Sequence, residues 1–105
     1  MSNGRYILDA KGNPIPEPDL LKWGRWLETA DNRRVAHNKT TSGVTVSTVF
    51  LGLDHRFGDG PPVLWETMIF GGSHDQYQER YSSLSDAVNG HQKALALATA
   101  EEVPQ

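Results

Sequence analysis

The chain of 105 residues contains no cysteine. That excludes a disulfide framework and any thiolate metal site. No apolar run approaches the roughly 20 residues needed to cross a bilayer. The opening residues, MSNGRYILDA, hold no apolar segment of signal-peptide length, so a cytoplasmic location is expected, with no membrane partner. Charge of one sign is also scarce. Ten Lys and Arg stand against thirteen Asp and Glu, a formal net charge of -3. That balance gives no bulk attraction to nucleic acid or to an anionic membrane, and it is too weak for nucleic-acid mimicry. There is no P-loop, no Gly-x-Gly-x-x-Gly and no nucleophile elbow. Nor is there an internal repeat or low-complexity segment. Asn38-Lys39-Thr40 matches a glycosylation sequon, which without a secretion signal carries no weight.

What is present suffices for one modest core. The chain is 37% hydrophobic, with three Trp, three Tyr and three Phe. Tyr6-Ile7-Leu8 reads as a short strand before a turn at Lys11-Gly12-Asn13-Pro14. Pro14, Pro16 and Pro18 keep the following segment extended. Asp19 caps a helix running to about Ala30, with Leu20, Trp23, Leu27 and Ala30 at helical spacing and Trp26 beside them. Strands are expected at 34–38, 44–53, 63–70 and 77–81, rich in Val, Thr and aromatic residues. Ser83-x-x-Asp86 opens a second helix whose stripe is Leu84, Ala87, Val88, His91, Ala94, Leu95 and Ala98, with Leu84, Val88 and Leu95 expected in the core. The predicted fold is α+β in the order β-α-β-β-β-β-α. It is an antiparallel meander of four to five strands with both helices on one face. Positions 1–4 and 99–105 are expected to fray.

The longest polar segment between strands is DHRFGDGPP, residues 54–62. Strand parity sends it to the same end of the sheet as the starts of strand 34–38 and of the second helix. His55, Arg56, Arg80, Arg33 and Arg34 then share a rim with Ser82 and Ser83. Only Arg5 and Arg25 among the arginines lie elsewhere. The helix start adds free N–H groups, and Gly58 and Gly60 let the backbone approach a bound anion. The expected ligand is small and anionic, a carboxylate or a nucleotide. The plainer alternative is that Asp54, Asp59 and Asp31 pair with these arginines and merely close the loop.

Metal chemistry is not expected. Asp54-His55 and His74-Asp75 sit at opposite ends of strand 63–70, about 25 Å apart. His37 and His91 have no helical ligand spacing. His91 reads as a hydrogen-bonded core or interface group. Glu66 reads as a residue on the wetter sheet face. No cofactor is expected. The central strands look apolar on both faces, Val44, Val46 and Phe50 on one and Val49, Leu51 and Leu53 on the other. Two helices cover one face, so a second copy of the chain, a homodimer, is expected on the other.

The run STVFLGLDHRFGDGPPVLWETMIFGG, followed by YQERYSSLSDAVNGH, resembles a family of short accessory proteins carried by tailed phages and prophages. The likeness spans residues 44–91 and the EPDLLKWGRWLE segment. It implies a setting rather than an activity, and it transfers no catalytic residue. Such accessory proteins act against host defences by sequestering nucleotide signals, by blocking a protein effector, or by degrading a signal. A non-catalytic binder needs arginines and shape but no reactive centre, so sequestration of an anionic ligand is the leading expectation. Binding of a host protein is the alternative. A small hydrolase using His55 with Asp54 or Asp59 ranks last.

Overall fold

The computed structural model describes residues 4–100. Its elements are β1 (Tyr6–Leu8), β2 (Pro14–Pro16), α1 (Leu20–Thr29), β3 (Arg34–Lys39), β4 (Thr45–Phe50), β5 (Trp65–Phe70), β6 (Gln78–Tyr81) and α2 (Leu84–Ala100). β3 to β6 form one antiparallel sheet in chain order, and β1 pairs with β2 in a separate ribbon. The chain is therefore α+β and its main sheet is a meander, as the sequence pattern indicates. The proline segment goes further than expected. Ile15 pairs with Ile7, so Pro14–Pro16 is a strand. Each proline lacks an N–H, which an edge strand tolerates.

The alternation on β4 and β5 separates two faces. Val46, Thr48, Phe50, Thr67 and Ile69 are fully buried, and Trp65 nearly so. Thr45, Ser47, Val49, Glu66 and Met68 between them are half-open. α2 covers the buried face. Its contact residues are Ala87, Gly90, His91, Ala94 and Ala98, at the spacing of one helical stripe. This corrects the expected core. Leu84 and Val88 are 46% and 45% exposed, and Leu95 is half-buried. The reason is distance. A Cβ on Gly90 would lie 2.0 Å from the Tyr81 hydroxyl, so beside Tyr81 the helix sits too close to the sheet for any side chain, and apart from His91 the buried stripe carries only glycine and alanine.

α1 stands on the same sheet face as α2, where its Trp26 packs against the cluster of Phe50, Trp65 and Ala87. It packs on β1 rather than across the main sheet. It reaches that sheet through Trp26, edge-on to Phe50 with centroids 5.8 Å apart, and through Trp23 Nε1, which donates to the Gly52 carbonyl at 2.8 Å. Its N-cap is Asp19, which accepts from the Leu21 and Lys22 amides. β4 ends at Phe50, earlier than the pattern suggested. Gly52 turns the chain at φ 76, and a Cβ there would meet Leu27 at 2.8 Å. The positive φ favours glycine here, and any larger residue would also have to push the Leu27 side chain aside. β3 carries a bulge between Arg34 and Ala36. Bulges re-aim side chains, and here Val35 turns into the core while Arg34 stays in register with Val49 on the open face. The expected fraying at the termini falls mostly outside the described residues. Within them, Thr99 and Ala100 belong to α2, and the Gly4 carbonyl accepts from the Asp54 amide.

Candidate functional site

Loop 54–62 is organised around Asp54. One carboxylate oxygen accepts from the Arg56 and Val63 amides at 2.8 and 2.9 Å, and the other pairs with the Arg56 guanidinium at 3.2 Å. Arg56 also donates to the Gly60 carbonyl at 2.7 Å. The long loop is thus cross-braced, and much of its polarity is spent inside it. Gly58 and Gly60 take positive φ and leave open space where a side chain would be. His55 is exposed and its ring bonds to neither Asp54 nor Asp59, so the hydrolase pairing is not assembled. Phe57, at the tip, is fully exposed.

The remaining rim residues lie at the expected end of the sheet but on opposite edges. Cross-strand register runs Arg34, Val49, Glu66, Arg80 along one row. Arg34 and Arg80 are three strand spacings apart, about 14 Å. Arg80 Nε donates to Glu66 at 2.9 Å, and Gln78 donates to the same oxygen. A cleft of about 440 Å³ beside β6 joins Arg80 and Ser82 to Glu79, Asp86, Asn89 and Lys93. Its charges are mixed, and Ser83 is already the cap, accepting from the Asp86 amide at 3.0 Å. Arg33 and Arg34 form a second cleft of about 360 Å³ with Ala30, Asp31 and Val49. Arg33 is anchored to Phe50 twice: its carbonyl accepts from the Phe50 amide at 2.7 Å, and its Nε donates to the Phe50 carbonyl at 3.3 Å. Arg34 has no salt bridge or side-chain hydrogen bond among the described residues. A third cleft, about 330 Å³, lies between the β1–β2 turn and α2, and Arg34 borders it too.

Beneath α2 runs a polar chain, buried at His91, Thr48 and Thr67 and reaching the surface at Asn38. Asn38 Oδ1 accepts from His91 Nε2 at 2.8 Å, and His91 Nδ1 is 2.7 Å from the Thr48 hydroxyl, which is bonded to the Thr67 hydroxyl. One tautomer satisfies every member, with Nε2 protonated and Nδ1 accepting. Burial holds His91 below the usual histidine range, and the His37 charge adds to this. Burial raises the Tyr81 phenol, an effect that the nearby Thr67 hydroxyl only partly offsets. The Tyr81 hydroxyl itself is buried without a hydrogen-bond partner. At the far end of β6 the Tyr77 phenol is pushed up to about 12, chiefly by its hydrogen bond to Glu79 and then by burial. Sequence reasoning singled out His91 but missed Asn38, Thr48 and Thr67. Their signal was present as polar residues at inward-facing strand positions.

Among the described residues no group of three or more His, Asp or Glu is placed to hold a metal ion. No described helix is long and apolar enough to cross a membrane. No family model matches the chain, and no curated protein or solved structure matches it.

Proposed function

We propose that the chain is a non-catalytic binder whose anion-recognising group is the Arg33–Arg34 corner. The observation that carries this reading is the Arg34 guanidinium, with no ion pair among the described residues, beside an anchored Arg33 in an open cleft. Arginine offers a planar fork matched to carboxylate and phosphate oxygens. Asp31 borders the same cleft and offsets part of the charge. A small ligand therefore needs further contacts. The expected role as a phage-type accessory protein that sequesters an anionic molecule is kept as the setting for this activity. A second copy on the open sheet face, over Val49, Met68 and Phe70, is part of the same proposal. Equilibrium sedimentation at tens of micromolar reads it directly.

Calorimetric titration with AMP and with inorganic phosphate tests the corner. Arg34→Gln is expected to weaken whichever anion binds by more than tenfold, the loss of one charged hydrogen bond at about 1.5–3 kcal/mol. Unchanged affinity in that variant removes the corner from consideration. Blocking of a protein effector is the second reading, favoured by Phe57, which a braced loop holds fully exposed. Aromatic anchors of this kind dominate many protein interfaces.

A further inference from the structure

The third cleft differs in kind from the other two. It is a groove of about 330 Å³ between the β1–β2 turn, the start of β3 and the first turns of α2. Leu8, Val35, Trp65, Leu84 and Val88 line it, and Arg34 is its one charged residue. Leu8 and Trp65 are buried and make an apolar floor, whereas Leu84 and Val88 stay nearly half exposed. Scattered surface leucines need no explanation. Here two apolar side chains stand one helical turn apart over an apolar floor, and Arg34, which has no ion pair among the described residues, borders the groove at the sheet edge.

We infer that this groove binds a small amphiphilic carboxylate, an unbranched apolar chain of medium length ending in a carboxyl group. The inference rests on the anion-binding reading and names its ligand class. The carboxylate meets the Arg34 fork, and the chain lies between Leu84 and Val88 on the Leu8–Trp65 floor. A groove of about 330 Å³ has room for a chain of medium length. The lining decides against a nucleotide in this groove. Apart from Arg34, the side chains offer only the Asn32 amide and the Trp65 indole N–H, so most ribose hydroxyls and base edges would be buried unpaired. An apolar chain makes no such demand. It covers side chains that folding leaves in water.

The test is calorimetry with acetate, hexanoate and decanoate, alongside AMP, decanol and an acidic peptide with an apolar C-terminus. Amide spectra of each variant report its fold. Arg34 and Val88 are exposed, so Arg34→Gln and Val88→Gln are expected to fold. Affinity should rise from hexanoate to decanoate by up to roughly fourfold per methylene. Arg34→Gln should weaken decanoate at least tenfold, and decanol should bind the native chain as weakly as decanoate binds that variant. Val88→Gln should weaken decanoate and leave AMP unchanged. If AMP binds through Arg34 while decanoate binds no tighter than acetate, the groove inference is overturned and the corner stands. If no anion binds at all, both fall. Decanoate affinity indifferent to both substitutions means adsorption elsewhere and overturns the groove. Binding of the peptide in place of decanoate does the same, and assigns the groove to a protein segment.

Discussion

The two faces of the central sheet are made by alternate residues of the same strands, yet they do different work. On the inner face Val46, Thr48, Phe50, Thr67 and Ile69 lose all contact with water. On the outer face the rows read Lys39, Thr45, Phe70; then His37, Ser47, Met68, Gln78; then Arg34, Val49, Glu66, Arg80. Three apolar residues there lie among polar and charged ones, so the outer face is less apolar than the strand pattern suggested. Stability is concentrated under α2, and the outer face stays partly open to water. The sharpest way to break this contrast is to shorten one phenylalanine on each face. Phe50 packs edge-on against Trp26 and Trp65, and Phe50→Ala is expected to cost about 3–5 kcal/mol in urea unfolding. Phe70, 43% exposed, should cost less than about 1 kcal/mol when changed to Ala. Similar losses at both positions would mean the outer face is covered in solution, as a dimer would cover it.

α2 repeats the contrast within one helix. Gly90→Ala forces a methyl group into the Tyr81 ring and is expected to destabilise by about 1–3 kcal/mol or more. Val88→Ala, two residues earlier, should stay within about 0.5 kcal/mol. Equal effects would place Val88 in the core after all.

These two helix positions show what the sequence does and does not disclose. Element type was legible because the pattern has a period, two on β4 and 3.6 on α2. The buried stripe of α2 was legible in part: Ala87, His91, Ala94 and Ala98 fell on the predicted stripe, but so did Leu84 and Val88, which the structure leaves exposed, and Gly90 did not. Leu84 and Val88 are the larger apolar residues, and hydrophobicity alone favours them over Ala87, Gly90 and Ala94. Only the approach of the helix to Tyr81 reverses the order. Strand parity placed the rim residues at one end of the sheet. Parity carries no information about which edge a strand occupies or which charges are already paired. Arg56 and Arg80 were therefore indistinguishable from Arg34 until Asp54 and Glu66 were located.

The polar chain beneath α2 gives the contrast a pH dependence. His91 has an ordinary value near 6.5 when unfolded and a lower one when folded. Below pH 6.5 the unfolded chain takes up a proton that the folded chain refuses. The stability tied to neutral His91 is thus complete above that pH. It is lost as pH falls toward the folded value, at most about 1.4 kcal/mol per pH unit. Urea midpoints at pH 7.5 and 5.5 should differ in that direction. His91→Gln, which can keep hydrogen bonds to Asn38 and Thr48, is expected to flatten the difference. An unaltered slope in that variant would move the effect to the carboxylates.

The smallest energies separate the two arginine environments, and there the functional proposal is most exposed. Arg56 is spent on its own loop. It bridges Asp54 and the Gly60 carbonyl across a connection much longer than the two to five residues a hairpin needs. Both contacts lie near solvent, so Arg56→Ala should cost only about 0.5–1 kcal/mol. It should also speed amide exchange across residues 55–61, because the loop loses its brace. Anion affinity should be unchanged. Arg34 has no side-chain partner among the described residues, so Arg34→Ala should leave the melting temperature within a degree or so, a shift of at most about 0.2 kcal/mol. Its effect should appear only in binding, as a drop of more than tenfold. The opposite pattern is equally readable. If Arg56→Ala abolishes anion binding at little cost in stability, the Asp54 pairing is a resting state that a ligand displaces. Recognition then belongs to the loop rather than to the corner of β3.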